Sequence, residues 1–113
     1  MAIRELERDH WKDYFDHFSS VSGTELVEVE VAGLDIGDQV EAEWLPLAGI
    51  SYDPKDDVLT IDAGEVLQHM VRSPRVIRVD EDDSGIHSFE VEDGDGHVQV
   101  LRLKAPLALP PAE

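Results

Sequence analysis

The chain has 113 residues, 26 Asp plus Glu against 9 Lys plus Arg, and a formal net charge of −17. That length suits one domain around a single core, and 42% hydrophobic residues is too many for a disordered acidic tail. The lack of cysteine excludes disulfides and thiolate chemistry. No apolar run nears the ~20 residues of a membrane span, and the start Met1-Ala2-Ile3-Arg4-Glu5 has no apolar leader, so a cytoplasmic protein is expected.

Residues 7–20 read as the one clear amphipathic helix, with Asp9 as N-cap and Trp11, Tyr14, Phe15 and Phe18 at three- and four-residue spacing. So short a helix is marginal alone, and its aromatic stripe suits the face of a sheet. Ser22-Gly23 ends it. From residue 25 the period changes to two. Val27, Val29 and Val31 alternate with Glu28 and Glu30 over 26–31, and Val40, Ala42 and Trp44 alternate with Glu41 and Glu43 over 39–45. The turn-rich stretch 33–38 joins the two into a hairpin. A register whose paired residue numbers sum to 71, or one shifted by two, keeps the valines together; the first sets Val31 on Val40, Val29 on Ala42 and Val27 on Trp44. It also sets Glu30 opposite Glu41 and Glu28 opposite Glu43.

Pro46 closes the second strand, and short strands follow at 47–52 and 58–62 around the turn Asp53-Pro54-Lys55-Asp56-Asp57. Residues 65–72 fit either a short helix stopped by Pro74 or a strand, and the helix is preferred. Strands at 75–80, 87–92 and 97–104 are joined by turns at 81–85 and 93–96. A β-bulge near Val100 would bring Val98, Val100, Leu101 and Leu103 to one face. The expected architecture is α+β: an N-terminal helix on a strongly bent antiparallel sheet of about six strands. Residues 1–105 form the domain, and the proline-rich 106–113 an extended tail.

Four glutamates on one face of the hairpin would repel one another and need cations from a neighbouring strand or, alternatively, a bound divalent cation. Only two strands supply outward cations: one carries Arg78, with Arg75 nearby, and the other Arg102 with Lys104. Arg72, Arg75 and Arg78 form the one basic cluster, which serves either as partner to Glu28, Glu30, Glu41 and Glu43 or as a site for a small anion. No aromatic is interleaved with it, and at this net charge neither nucleic acid nor an anionic membrane is an expected partner. The acidity itself reads as a solubility device, as adaptation to a salty interior, or as mimicry of a phosphate backbone.

Asp80, Asp82 and Ser84, with Gly85 after them, match the first half of a calcium loop, but Val91 stands where the bidentate glutamate belongs. On the helix, His10, Asp13 and His17 share a polar side, where Asp13 could join either histidine on a metal. The turn 93–96 is explained by its glycines. There is no Gly-x-Ser-x-Gly, P-loop or His-Glu-x-x-His. Ser73 or Ser88 could be a nucleophile only with His69 or His87 beside it.

Ile50-Ser51-Tyr52-Asp53-Pro54-Lys55-Asp56-Asp57-Val58-Leu59, residues 69–75 and residues 89–109 together resemble a family of small bacterial proteins that is itself a domain of unknown function. The resemblance implies a source and a size but no catalytic residues. The expected function is therefore a non-enzymatic protein–protein interaction domain, a homodimer, with no cofactor. The alternatives are a divalent-cation module using the acidic turn 80–85 and a hydrolase with an unrecognised site.

Overall fold

Alternation of apolar with polar residues builds strands, and most of this chain is strand. The computed structural model describes residues 2–21, 25–33, 37–64 and 67–108. Its elements are β1 (Ala2–Glu5), a 3-10 turn (Arg8–His10), α1 (Trp11–Val21), β2 (Leu26–Gly33), β3 (Gly37–Asp53), β4 (Val58–Ala63), β5 (Leu67–Arg72), β6 (Pro74–Asp82), β7 (Gly85–Asp93) and β8 (Val98–Leu107). The strands lie in the order β1-β6-β7-β8-β2-β3-β4-β5, and every neighbouring pair is antiparallel. The protein is thus α+β, mainly β.

Two crossings fold the sheet back on itself. β3 pairs with β2 up to Pro46 and with β4 from Leu47 onward. β5 and β6 are separated by Ser73 alone, whose φ of 54° is left-handed. The inward residues of both halves then meet in one core. Trp11, Phe15 and Phe18 on α1 are 0–1% exposed, and Phe15 and Phe18 pack edge-on against Phe89 of β7. The hydroxyl of Ser19 accepts from Ile50 N at 2.9 Å and donates to Ile50 O at 2.6 Å, so the helix also closes the bare edge of β3 there.

The aromatic stripe and the inward valines stand as expected; several other expectations are corrected. The described residues form eight strands, not about six, and β1 precedes the helix, so the helix does not open the fold. β1 is too short to show a period. Asp9 lies inside the 3-10 turn, whose N-cap is Glu7. Residues 67–72 are a strand, not the preferred helix: Leu67, His69 and Val71 pair with Ala63, Ile61 and Leu59. His69 on the inward side disguised the period of two.

The hairpin register holds at one pair, Val29 on Ala42. On either side it shifts: Val31 faces Gln39, Glu30 faces Val40, and Val27 faces Leu45 in place of Trp44. Each shift leaves an extra residue on β3, Glu41 at one and Trp44, left-handed at φ 52°, at the other, and the bulge at Trp44 sends β3 on toward β4 unbroken by Pro46. Glu30 therefore has no glutamate directly across from it. The bulge expected near Val100 is absent, because β8 runs in continuous register with β2. Gln99 takes the inward place instead, 3% exposed, its amide donating to His97 O at 3.1 Å and Val91 O at 3.4 Å. β8 continues through Pro106 to Leu107. The helix stop at Ser22-Gly23, most of the 33–38 turn and residues 109–113 lie outside the described residues.

Candidate functional site

Cross-strand partners point to the same face of a sheet, so one row on the outer face reads Ile3, Asp80, Ser88, Arg102, Glu28. The next reads Glu5, Arg78, Glu90, Val100, Glu30. The expected flanking strand with outward cations is β8. Arg102 Nη1 donates to Glu28 Oε1 at 2.9 Å and Glu30 Oε1 at 2.6 Å. These bonds, that to Glu30 first, raise the guanidinium above its already high ordinary value. Arg78 lies one row away and holds Glu90 at 3.0 Å. Among the described side chains, Arg72 and Arg75 reach none of Glu28, Glu30 and Glu43; Glu43 is exposed, and the side chain of Glu41 lies outside what is described.

Of the calcium-loop residues, Asp80 sits within β6 beside Ile3 and Ser88. Asp82 is already engaged: Oδ1 accepts from Ser84 N at 2.8 Å, and Oδ2 lies 2.8 Å from His87 Nε2. The hydrogen bond from His87 holds the Asp82 carboxyl below its usual value. His10 lies 3.9 Å from Glu7, and His10, Asp13 and His17 do not converge. Among the described residues one trio could share an ion, Asp93, Asp95 and His97. Its geometry is that of a braced turn, Asp93 Oδ1 accepting from Asp95 N at 2.9 Å and His97 N at 3.0 Å.

The turn 53–57 and the start of α1 enclose a cleft of about 780 Å³ lined by Arg8, Asp9, Lys12, Asp13, Tyr52 and Asp57. Tyr52 Oη donates to Asp57 Oδ1 at 2.7 Å. Arg8 reaches Asp57 at 3.2 Å, Tyr52 at 3.3 Å and Pro74 O at 2.8 Å, with its guanidinium 4.4 Å above the Trp11 ring. This is a clamp joining three segments, and sequence spacing could not bring its members together. Burial first, and then Asp57, holds the Tyr52 phenol above 10.0, so it serves as a donor rather than a base.

Tyr14 is pushed up to about 12, by burial and then by Glu81. The chain has two tyrosines, both raised, so its tyrosinate absorbance should be less than half developed at pH 10, with the Tyr14 part rising near 12. Both folded values lie above the unfolded one. Their contribution to stability is complete below about pH 10 and is lost as pH rises through the folded values. Half of the absorbance change completed by pH 10 would contradict this environment.

A different feature bears on partners. The outer side of β1, the first part of β3 and the outer side of β5 have no strand beside them among the described elements. β1 carries Glu5, and the first part of β3 carries Asp38, Glu41 and Glu43. β5 carries no carboxylate. Its Gln68, Met70 and Arg72 are exposed, Met70 by 43%, and Leu67 and His69 are half-buried. The sequence held a cue: residues 66–79 contain no Asp or Glu.

A curled antiparallel sheet with one helix tucked against it, and an open edge, is the class that this geometry defines. The chain belongs to the family of unknown function DUF5335, whose profile spans residues 2–112. It is 42% identical over 110 residues to an uncharacterized protein of Aquifex aeolicus (strain VF5), covering 97% of this chain and 99% of that relative. No solved structure matches it.

Proposed function

We propose that the protein is a non-enzymatic interaction domain that pairs with a second copy of itself through β5. The carrying observation is an open strand free of carboxylates in a chain of net charge −17. Two such chains repel at long range, so contact is favoured where neither presents an acid. The strand is also self-complementary. An antiparallel pairing centred on Met70 preserves both faces of the sheet, sets Met70 against its symmetry mate and brings Gln68 opposite Arg72 of the other copy. Such an edge is a ready template, lacking the proline, lysine or bulge that usually guards one. The interface is small, so the dimer belongs to the weak class below about 1,200 Å².

Light scattering on the full chain tests this. At high micromolar concentration the mass should approach twice that of the chain, and more fully in about 0.5 M NaCl, where the mutual repulsion is screened. Met70→Lys, a change at an exposed position, should stay monomeric in both salts with an unchanged circular-dichroism spectrum. A wild type that remains strictly monomeric, or a Met70→Lys variant that dimerises equally well, would overturn the reading.

A further inference from the structure

With 26 carboxylates and 9 cations, every cation has a surplus of possible partners. Arg4, Arg8, Lys12, Arg78 and Arg102 take one each or more, and Lys104 lies 5.8 Å from the Trp44 ring. Lys55, Arg72 and Arg75 have no carboxylate partner among the described residues, and all three are exposed.

These three share one corner of the fold. Arg72 and Arg75 flank the Ser73-Pro74 corner, three residues and so at most about 10 Å of chain apart. Arg75 is the unpaired residue of a register shift between Pro74 and Val76, a device that re-aims a side chain. The corner is tied down on both sides: Ser73 N donates to Asp57 O at 2.9 Å, and Arg8 donates to Pro74 O at 2.8 Å. Lys55 stands on the same turn as Asp57. The acids nearest in that turn, Asp53 and Asp56, are exposed, and Asp53 Oδ1 accepts from Lys55 N at 2.9 Å. Ser73 is not a glycine, yet it holds a φ of 54°, and such backbone strain is found preferentially at functional positions.

We propose that this corner binds a compact oxyanion presenting two or more negative oxygens, held between Arg72 and Arg75 with Lys55 beside them. A guanidinium fork matches paired oxygens of phosphate or carboxylate. The surrounding charge repels anions at long range, so the ligand must be held by direct contact. Screening then removes more repulsion than attraction, and affinity should hold or rise between low salt and about 0.15 M. A simple cationic patch shows the opposite trend.

Titration of the full chain with inorganic phosphate, and separately with citrate, followed by amide NMR against NaCl of equal ionic strength, decides it. Saturable shifts at Ser73 and Arg75 are expected, with half-saturation at about 1–10 mM. Saturation by phosphate alone assigns a phosphoryl ligand, by citrate alone a polycarboxylate, and by both a site that reads charge. Arg72→Gln/Arg75→Gln should weaken binding at least about tenfold, each single change by less, and Arg78→Gln, in a residue already paired, not at all. Shifts that match the NaCl control, or that survive in the double variant, would overturn the assignment.

Discussion

Replacement of Phe89 by alanine is expected to lower stability by about 3–5 kcal/mol, against the 5–15 kcal/mol usual for a domain. The ring is 1% exposed, and three helix residues converge on it edge-on: Phe18 with ring centres 5.0 Å apart, Phe15 at 5.3 Å and Tyr14 at 6.0 Å. Removing it deletes buried apolar surface and leaves a cavity that α1 and β7, both anchored elsewhere, can close only in part. It also removes aromatic contacts that add to simple burial. Phe89→Leu keeps most of the volume and should cost less than half as much. Urea unfolding followed by circular dichroism measures both, and a loss below about 1.5 kcal/mol for Phe89→Ala would mean that the helix is held by something else.

The second large effect is at Arg102. Glu28 and Glu30 are only 20% and 19% exposed at the side chain and are two residues apart on one strand. Arg102 is 43% exposed, so solvent screens its attraction and the pairs themselves contribute modestly. The larger cost of Arg102→Ala is two half-buried carboxylates left without a donor, about 1–3 kcal/mol with the lower half expected here. The guanidinium is raised in the folded state, so its contribution is complete throughout the ordinary pH range and is lost only in strong alkali. In a Glu28→Gln/Glu30→Gln background the same change should cost under about 0.5 kcal/mol. Equal costs in the two backgrounds would show that packing of the Arg102 stem, not charge, is what counts.

Where a residue's neighbours in sequence determine its surroundings, the chain was legible. The stripe of Trp11, Phe15 and Phe18 and the alternation of Val27, Val29 and Val31 with Glu28 and Glu30 follow from period alone, and both stand in the structure. Features set by distant partners were hidden. Gln99 reads as an outward residue until its amide meets two carbonyls, and Trp44 reads as inward until a left-handed turn lets Leu45 replace it. His69 breaks an otherwise apolar row, its Nε2 buried without a partner among the described residues, so β5 looked helical. For the sites, Arg102 was one of two candidates to meet the glutamates because its strand has few rivals in cations. The Arg8–Tyr52–Asp57 clamp spans 49 positions of sequence, and no local pattern announces it.

The proposed dimer requires β5 to be an edge that a second chain completes. Amide hydrogen exchange, read residue by residue at low and high protein concentration, tests this most directly. The amides of Leu67–Arg72 that point away from β4 should exchange quickly when dilute and slow at least about tenfold when concentrated, with little change elsewhere. Exchange in β5 that ignores concentration, or new protection along β1 or the first part of β3 instead, would contradict it.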